Sequence, residues 1–428
     1  MSTTFTARTD RSLVRAEGRS TRYVLVQATA PKERTPAEET AERQPVSVAF
    51  VLDRSGSMAG TKLALAMHAV DRALVGLDPQ DRFAIVTYDD HIETIAPSQL
   101  ATDANKHAAR LALQAVDARG STDLHGGWTR GADAIREHVA PEGINRVLLL
   151  TDGLANQGVT DPGTLAQVAK DLRASGIGTS TFGVGADFNE VLLTAIADAG
   201  GGHFYFIEHP QQIPDFITSE LGELLEVVAR GVTVDVTHHP ALEIEPLSPV
   251  AGVASGPGVL KVGIGDLVVG QEVELVLRVR FPLADEGAQT TAFFTIADRD
   301  GVLKADGCTP TWEHASHAAN DAQPRDADVD RAVARIFAAR ARLEAVQLNR
   351  AGDFESARRA VRGVARRIAA YAADDAELRS LSGTLLAEEQ VYMAPMPELA
   401  RKSRYFASHN VQRTRNADGR ARRSMPGA

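Results

Sequence analysis

Ala49-Phe50-Val51-Leu52-Asp53-Arg54-Ser55-Gly56-Ser57-Met58 is a short apolar run that ends on an aspartate and continues into two serines at alternate positions. The run is rich in β-branched and aromatic residues and has the length of a buried strand. Asp53 therefore stands where a strand gives way to the loop before a helix. In an open α/β sheet, ligands bind along that rim. One carboxylate and two hydroxyls on a tight loop are three oxygen donors that can face one point, and hard cations such as magnesium take oxygen donors.

Working outward, strand and helix patterns alternate from Pro45 to about Ala229. Strands are expected at 46–52, 82–88, 145–151, 177–184 and 203–207, with a short extra one near 92–96. Helices are expected near 61–76, 103–117, 124–138, 162–175, 188–199 and 211–228. In the first helix Leu63, Met67, Val70 and Leu74 recur at helical spacing on one face. Short apolar strands between amphipathic helices mean parallel βαβ units, so this segment reads as a doubly wound, mostly parallel α/β domain.

Two later stretches reach the same rim. Gly120-Ser121-Thr122-Asp123 opens the helix at 124, and Leu148-Leu149-Leu150-Thr151-Asp152-Gly153 is a second buried strand ending on an aspartate. If strands 46–52 and 145–151 are neighbours at the switch point, Asp53 and Asp152 converge. Two carboxylates and three hydroxyls would then surround a cation and leave room for waters and one outside ligand, as octahedral magnesium prefers.

Asp53-x-Ser55-x-Ser57, then Thr122, then Asp152-Gly153 resembles, in order and spacing, the metal-ion-dependent adhesion site of the von Willebrand factor A (VWA) family. The resemblance covers about residues 46–229, and Phe182-Gly183-Val184-Gly185 followed by Gly200-Gly201-Gly202-His203-Phe204-Tyr205 is similar to the family's later strands. It implies a Rossmann-like fold and a site in which Ser55, Ser57 and Thr122 ligate the ion directly. Asp53 and Asp152 then act mainly through waters, and a partner's Asp or Glu completes the shell. Magnesium is the implied ion, with manganese or calcium as alternatives. The flanking segments, with Gly265-Asp266-Leu267 and Gly270-Gln271-Glu272, resemble bacterial intracellular-type A-domain proteins. Those share a layout with inter-alpha-trypsin-inhibitor heavy chains and calcium-activated chloride channel homologues.

Around this segment the texture differs. Within 1–45, Ser12-Leu13-Val14-Arg15-Ala16 and Tyr23-Val24-Leu25-Val26-Gln27-Ala28 read as two strands joined by a turn at Gly18-Arg19-Ser20, and 31–45 as a linker. From 230 to 320 the period is two, as in Val232-Thr233-Val234-Asp235-Val236, which indicates an antiparallel sandwich. An isolated hairpin is barely stable in water, so the first strands need that sandwich. The α/β segment is accordingly expected to be inserted into it. Residues 325–391 are helical, with a stop and N-cap at Gly352-Asp353 and a capping box at Asp374 and Glu377 for the third helix. The basic segment 392–428 reads as a disordered tail.

Composition narrows the function classes. The length of 428 residues suggests roughly three domains. A net charge of −10, from 46 basic and 56 acidic residues, argues against nucleic acid as the main partner. Cys308 is the one cysteine, so no disulfide framework exists and a reducing cytosol is the expected home. Met1-Ser2-Thr3-Thr4-Phe5-Thr6 lacks a signal pattern, and no apolar run approaches a membrane span.

Asp53 could instead be a nucleophile of the kind found in haloacid-dehalogenase-like phosphotransferases. Ser55 stands where those carry a second aspartate, which leaves no general acid. His203, His238 and His239 lack metal spacing, Asp89 and Asp90 read as a solvated turn at the rim, and Trp128 reads as core. The expected function is non-enzymatic: a magnesium-dependent protein-binding module. The alternatives are a magnesium-dependent phosphoester hydrolase and a scaffold with a vestigial site.

Overall fold

The computed structural model describes residues 3–32, 43–250 and 252–423. Most of the expected linker, 33–42, and the end of the expected tail, 424–428, lie outside the described residues. The chain divides into two compact units, one running from Pro36 to Glu226 and the other built from the segments on either side of it.

The flanking unit begins with β1 (Thr4–Thr9), β2 (Leu13–Arg15) and β3 (Ser20–Thr29). The chain then runs through the other unit: β4 (Val46–Asp53), α1 (Thr61–Val75), β5 (Arg82–Tyr88), β6 (Ile92–Leu100), α2 (Asp103–Leu113), α3 (Leu124–Arg136) and β7 (Ile144–Thr151). There follow α4 (Pro162–Ala174), β8 (Ile177–Val184), α5 (Glu190–Ala199), β9 (Gly201–Ile207) and α6 (Ile213–Leu225). Its strands lie in the order β6-β5-β4-β7-β8-β9, all parallel except β6, which is antiparallel to β5.

Every residue of β4 and β7 is buried, which is why both read as unbroken apolar runs rather than alternating ones. The two pair directly, from Val46 opposite Ile144 to Leu52 opposite Leu150. The chain leaves β4 toward β5 on one side and later adds β7 on the other. The ends of β4 and β7 therefore meet at the switch point of the sheet.

Helix α3 lies close over these strands. An added Cβ at Gly127 would come within 2.4 Å of the Tyr88 ring, so glycine sets that approach. Trp128 is fully buried and its Nε1 donates to Thr179 Oγ1 at 3.1 Å.

Returning to the flanking unit, the strands are β10 (Val227–His238), β11 (Glu243–Pro246), β12 (Gly252–Gly256), β13 (Val259–Val268), β14 (Glu272–Phe281), β15 (Gln289–Ala297) and β16 (Thr311–Ala315). They form two sheets, β1-β3-β14-β11 and β12-β13-β10-β15-β16-β2, enclosing a core that includes Val24, Val234, Leu275, Phe294 and Trp312. Helices α7 (His317–Ala322), α8 (Ala327–Arg350), α9 (Phe354–Tyr371), α10 (Ala376–Glu388) and α11 (Glu398–Gln412) complete the chain. Val329, Val333 and Ile336 of α8 pack on Leu25 and Val276 of the first sheet.

Three expectations are corrected. First, the early strands are not a hairpin. β2 pairs in parallel with β16 and β3 pairs with β1 and β14, so they belong to opposite sheets. Side chains, not a ladder, link them: Arg15 N donates to Ser20 Oγ at 2.9 Å and Arg22 Nε to the Leu13 carbonyl at 2.9 Å. Second, the cap of α10 is Asp375, which accepts from Leu378 N, and not Asp374. Third, the basic tail is ordered through Arg423. α11 packs on α8 with Arg401 and Lys402 buried, and Arg422 donates to Glu274 at 2.7 Å. Tyr405 and Phe406 supply the apolar area that a solvated tail would lack.

Candidate metal centre

Asp53 is the last residue of β4 and is fully buried. Its two oxygens are turned inward to the loop: Oδ1 accepts from Ser55 N at 2.8 Å and Oδ2 from the Thr151 hydroxyl at 2.7 Å. Burial pushes its pKa up to about 6, against the opposing hydrogen bonds from Thr151 and Ser55, and the nearby Asp152 charge adds to the rise. A carboxylate held this way shapes the loop from behind.

Ser55 begins the short 3-10 turn Gly56–Met58 but does not cap it with its side chain. Its hydroxyl lies instead 3.1 Å from the Ser57 hydroxyl, which donates to Asp152 Oδ1 at 2.6 Å. Three oxygens from two loops thus form a continuous chain. Thr122 sits at the entrance to α3, and a Cβ at Gly153 would lie 3.7 Å from Ser57 Oγ and 3.9 Å from Thr122 Oγ1. Both hydroxyls face the space beside Gly153. Asp53, Ser55, Thr122 and Asp152 are buried and Ser57 is exposed, so the cluster opens on one side. The fold brings all five sequence-predicted residues to one place.

Backbone bonds hold the loops at this separation. Gly56 N donates to the Gly120 carbonyl at 3.2 Å and Arg119 N to the Arg54 carbonyl at 2.8 Å. Thr122 is strapped from the other side, its N–H donating to Asn156 Oδ1 at 3.0 Å and its carbonyl accepting from Asn156 N and Gln157 N, both at 3.2 Å.

The donor set suits a hard divalent cation: hydroxyls and carboxylates, with no sulfur or imidazole among the converging atoms. A positive charge already stands there. Lys62, at the start of α1, places its ammonium against Asp152 Oδ2 and donates to the Ser57 carbonyl at 3.3 Å.

Sequence reasoning missed Thr151, Asn156 and Lys62. Thr151 precedes the second aspartate directly, and Lys62 lies one turn after the serines, so adjacency was the available signal. It also misread Asp89 as solvated. Asp89 is fully buried and takes Arg119 Nε at 2.8 Å and Arg54 Nε at 3.2 Å, while Asp90 and His91 are exposed beside it. His203 contacts the buried Glu220, its Nδ1 3.0 Å from Oε2.

Residues 47–219 match the family model of the von Willebrand factor type A domain. Over 230 residues the chain is 32% identical to YfbK of Escherichia coli (strain K12), covering 51% of this chain and 40% of that protein. Over 199 residues it is 30% identical to inter-alpha-trypsin inhibitor heavy chain H1 of Sus scrofa, covering 44% of this chain and 22% of that one. The chain thus spans less than half the length of these curated relatives. The fold is similar to a von Willebrand factor type A structure from Catenulispora acidiphila, with a TM-score of 0.69 at 19% identity over 92% of this chain and 97% of that one.

Proposed function

We propose that this chain, whose residues 47–219 are a von Willebrand factor type A domain, is a non-enzymatic protein-binding module that uses a divalent cation to capture a carboxylate. The observation that carries this reading is the oxygen chain Ser55–Ser57–Asp152, at 3.1 and 2.6 Å, open to solvent at Ser57.

Ser55, Ser57 and Thr122 would hold the ion directly, with Asp53 and Asp152 behind them acting through waters. Magnesium is the proposed ion, with manganese or calcium as substitutes. When bound, it supplies an acceptor position for one carboxylate oxygen from a partner's Asp or Glu. The chain's own part is to keep five oxygens converged before the ion arrives. Asp53 does so by fixing the loop through Ser55 N and Thr151, and the straps at Gly120 and Asn156 fix the separation of the loops. Among the described residues, no helix is long and apolar enough to cross a membrane. A reducing, cytoplasmic setting is part of the proposal.

The test is capture of a protein from the native host on the immobilised full chain, with magnesium or with chelator, beside the Asp53→Ala variant checked for folding. Capture should require magnesium and disappear in the variant. Capture that survives both chelator and Asp53→Ala would refute the metal bridge.

A further inference from the structure

The ammonium of Lys62 is the one feature of the site that an oxygen-lined metal centre does not call for. Lys62 is the second residue of α1, and its side chain is 28% exposed. From there it reaches a fully buried carboxylate, Asp152 Oδ2, whose other oxygen accepts from Ser57 at 2.6 Å. The same ammonium donates to the Ser57 carbonyl at 3.3 Å. It therefore touches both loops of the proposed metal site at once.

We infer that Lys62 is a tethered counter-ion that competes with the divalent cation for Asp152 and makes cation retention depend on an arriving carboxylate. The inference rests on the metal-dependent reading given above. A buried carboxylate needs a positive partner, and Lys62 supplies it from within the chain. A divalent ion among Ser55, Ser57 and Thr122 takes over that role and faces a like charge a few ångströms away. The lysine stem is long, flexible and partly exposed, so the ammonium can swing outward to the open side beside Ser57. A carboxylate entering there meets two positive charges, the ion and the ammonium. Each then lowers the cost of keeping the other, so cation and carboxylate bind with positive coupling, and coupling between two ligands is reciprocal. Lys62 thus weakens the site for the ion alone and strengthens it for the ion with its partner.

The experiment uses the full chain, magnesium as one probe and acetate as the other, with calorimetric titration of wild type, Lys62→Met, Lys62→Arg and Asp53→Ala. Lys62→Met keeps the stem and removes the charge. It should bind magnesium alone about tenfold more tightly or better, the size of effect one neighbouring charge exerts at a buried site. Saturating acetate should tighten magnesium binding in wild type and Lys62→Arg, and do so less in Lys62→Met. Thermal unfolding gives a second readout: without metal, Lys62→Met should melt below wild type, and saturating magnesium should erase that gap. Equal or weaker magnesium affinity in Lys62→Met, in a protein that still loses binding on Asp53→Ala, overturns the role of Lys62 and leaves the metal site standing. Absence of magnesium binding in wild type overturns both.

Discussion

Thr151 donates its hydroxyl hydrogen to Asp53 Oδ2 at 2.7 Å, tying together the ends of the two neighbouring strands that form the rim of the site. Both residues are fully buried, and burial already raises Asp53 to about 6. Thr151→Val removes the donor at nearly constant volume and leaves a buried acceptor short of a partner. The expected cost is about 1–3 kcal/mol in denaturant unfolding. Magnesium binding should weaken as well, because the loop that Asp53 shapes loses one of its two anchors. An unchanged unfolding midpoint would mean that this bond contributes nothing.

The same substitution should have opposite signs at two helical glycines. A Cβ at Gly127 falls 2.4 Å from Tyr88, whose ring cannot yield easily because its hydroxyl donates to the Leu150 carbonyl at 3.1 Å. Gly127→Ala should destabilise by about 1–3 kcal/mol through overpacking. Gly222, within α6, has nothing within 4 Å of an added Cβ. Gly222→Ala should stabilise by about 0.5–1 kcal/mol through helix propensity alone. Chemical denaturation of the two variants side by side decides both.

These sites also show what could be read from the chain beforehand. β4 and β7 were legible because burial on both faces leaves an unbroken apolar run, and the donors were legible because strand ends point them at one rim. Residues whose work is done through tertiary contacts were not. Asp89 looks solvated until Arg54 and Arg119 are seen to enclose it. Lys62 looks like an ordinary first-turn lysine until Asp152 is seen beside it. Arg401 and Lys402 suggested a solvated tail because charge is a local property and burial is not. Leu13–Arg15 reads as the hairpin partner of the next strand but pairs elsewhere, since three residues carry too little pattern to choose between partners.

Magnesium should stabilise the chain by linkage. An ion that binds only the folded state adds about 2.7 kcal/mol at a hundred times its dissociation constant. Thermal unfolding should therefore shift upward with magnesium and return with chelator. Ser57→Ala, at the exposed middle of the oxygen chain, should reduce the gain and also lower metal-free stability, because the buried Asp152 Oδ1 loses the hydroxyl that donates to it at 2.6 Å. A magnesium shift of equal size in Ser57→Ala would remove Ser57 from the donor set.

Acid should loosen the helical part of the flanking unit through Glu389. Arg362 and Arg358 hydrogen-bond its carboxylate, the latter through Nη2 at 2.8 Å, and hold it down at about 2 from its ordinary 4.5. A depressed acid contributes stability that is fully present above the unfolded pKa and lost as pH falls through the folded one. The wild-type advantage over Glu389→Gln in thermal unfolding should be full at neutral pH, shrink between about 4.5 and about 2, and vanish below that. A difference that does not vary with pH would assign Glu389 a packing role instead.

Asp89 is the post to which two loops of the site are fastened. Its carboxylate takes Arg54 from the loop of Ser55 and Ser57, and Arg119 from the loop of Thr122. Its carbonyl accepts from Asp123 N at 2.8 Å, at the mouth of α3. The two arginines are not equivalent: the Arg54 side chain is 4% exposed and that of Arg119 is 56% exposed. Asp89→Ala strands a buried guanidinium whose remaining acidic partner among the described residues is Glu93, at 2.8 Å, and should cost about 3–5 kcal/mol. Arg119→Ala breaks a solvent-screened pair and should cost under about 1 kcal/mol. Replacing Arg54 by Met in the Asp89→Ala background should recover part of the loss, since no unpaired charge then remains. Magnesium titration of the three variants separates positioning from bulk stability. Asp89→Ala should bind the ion more weakly at temperatures where it is fully folded, because the loops carrying Ser55, Ser57 and Thr122 no longer share an anchor. Wild-type affinity in folded Asp89→Ala would confine this cluster to holding the fold.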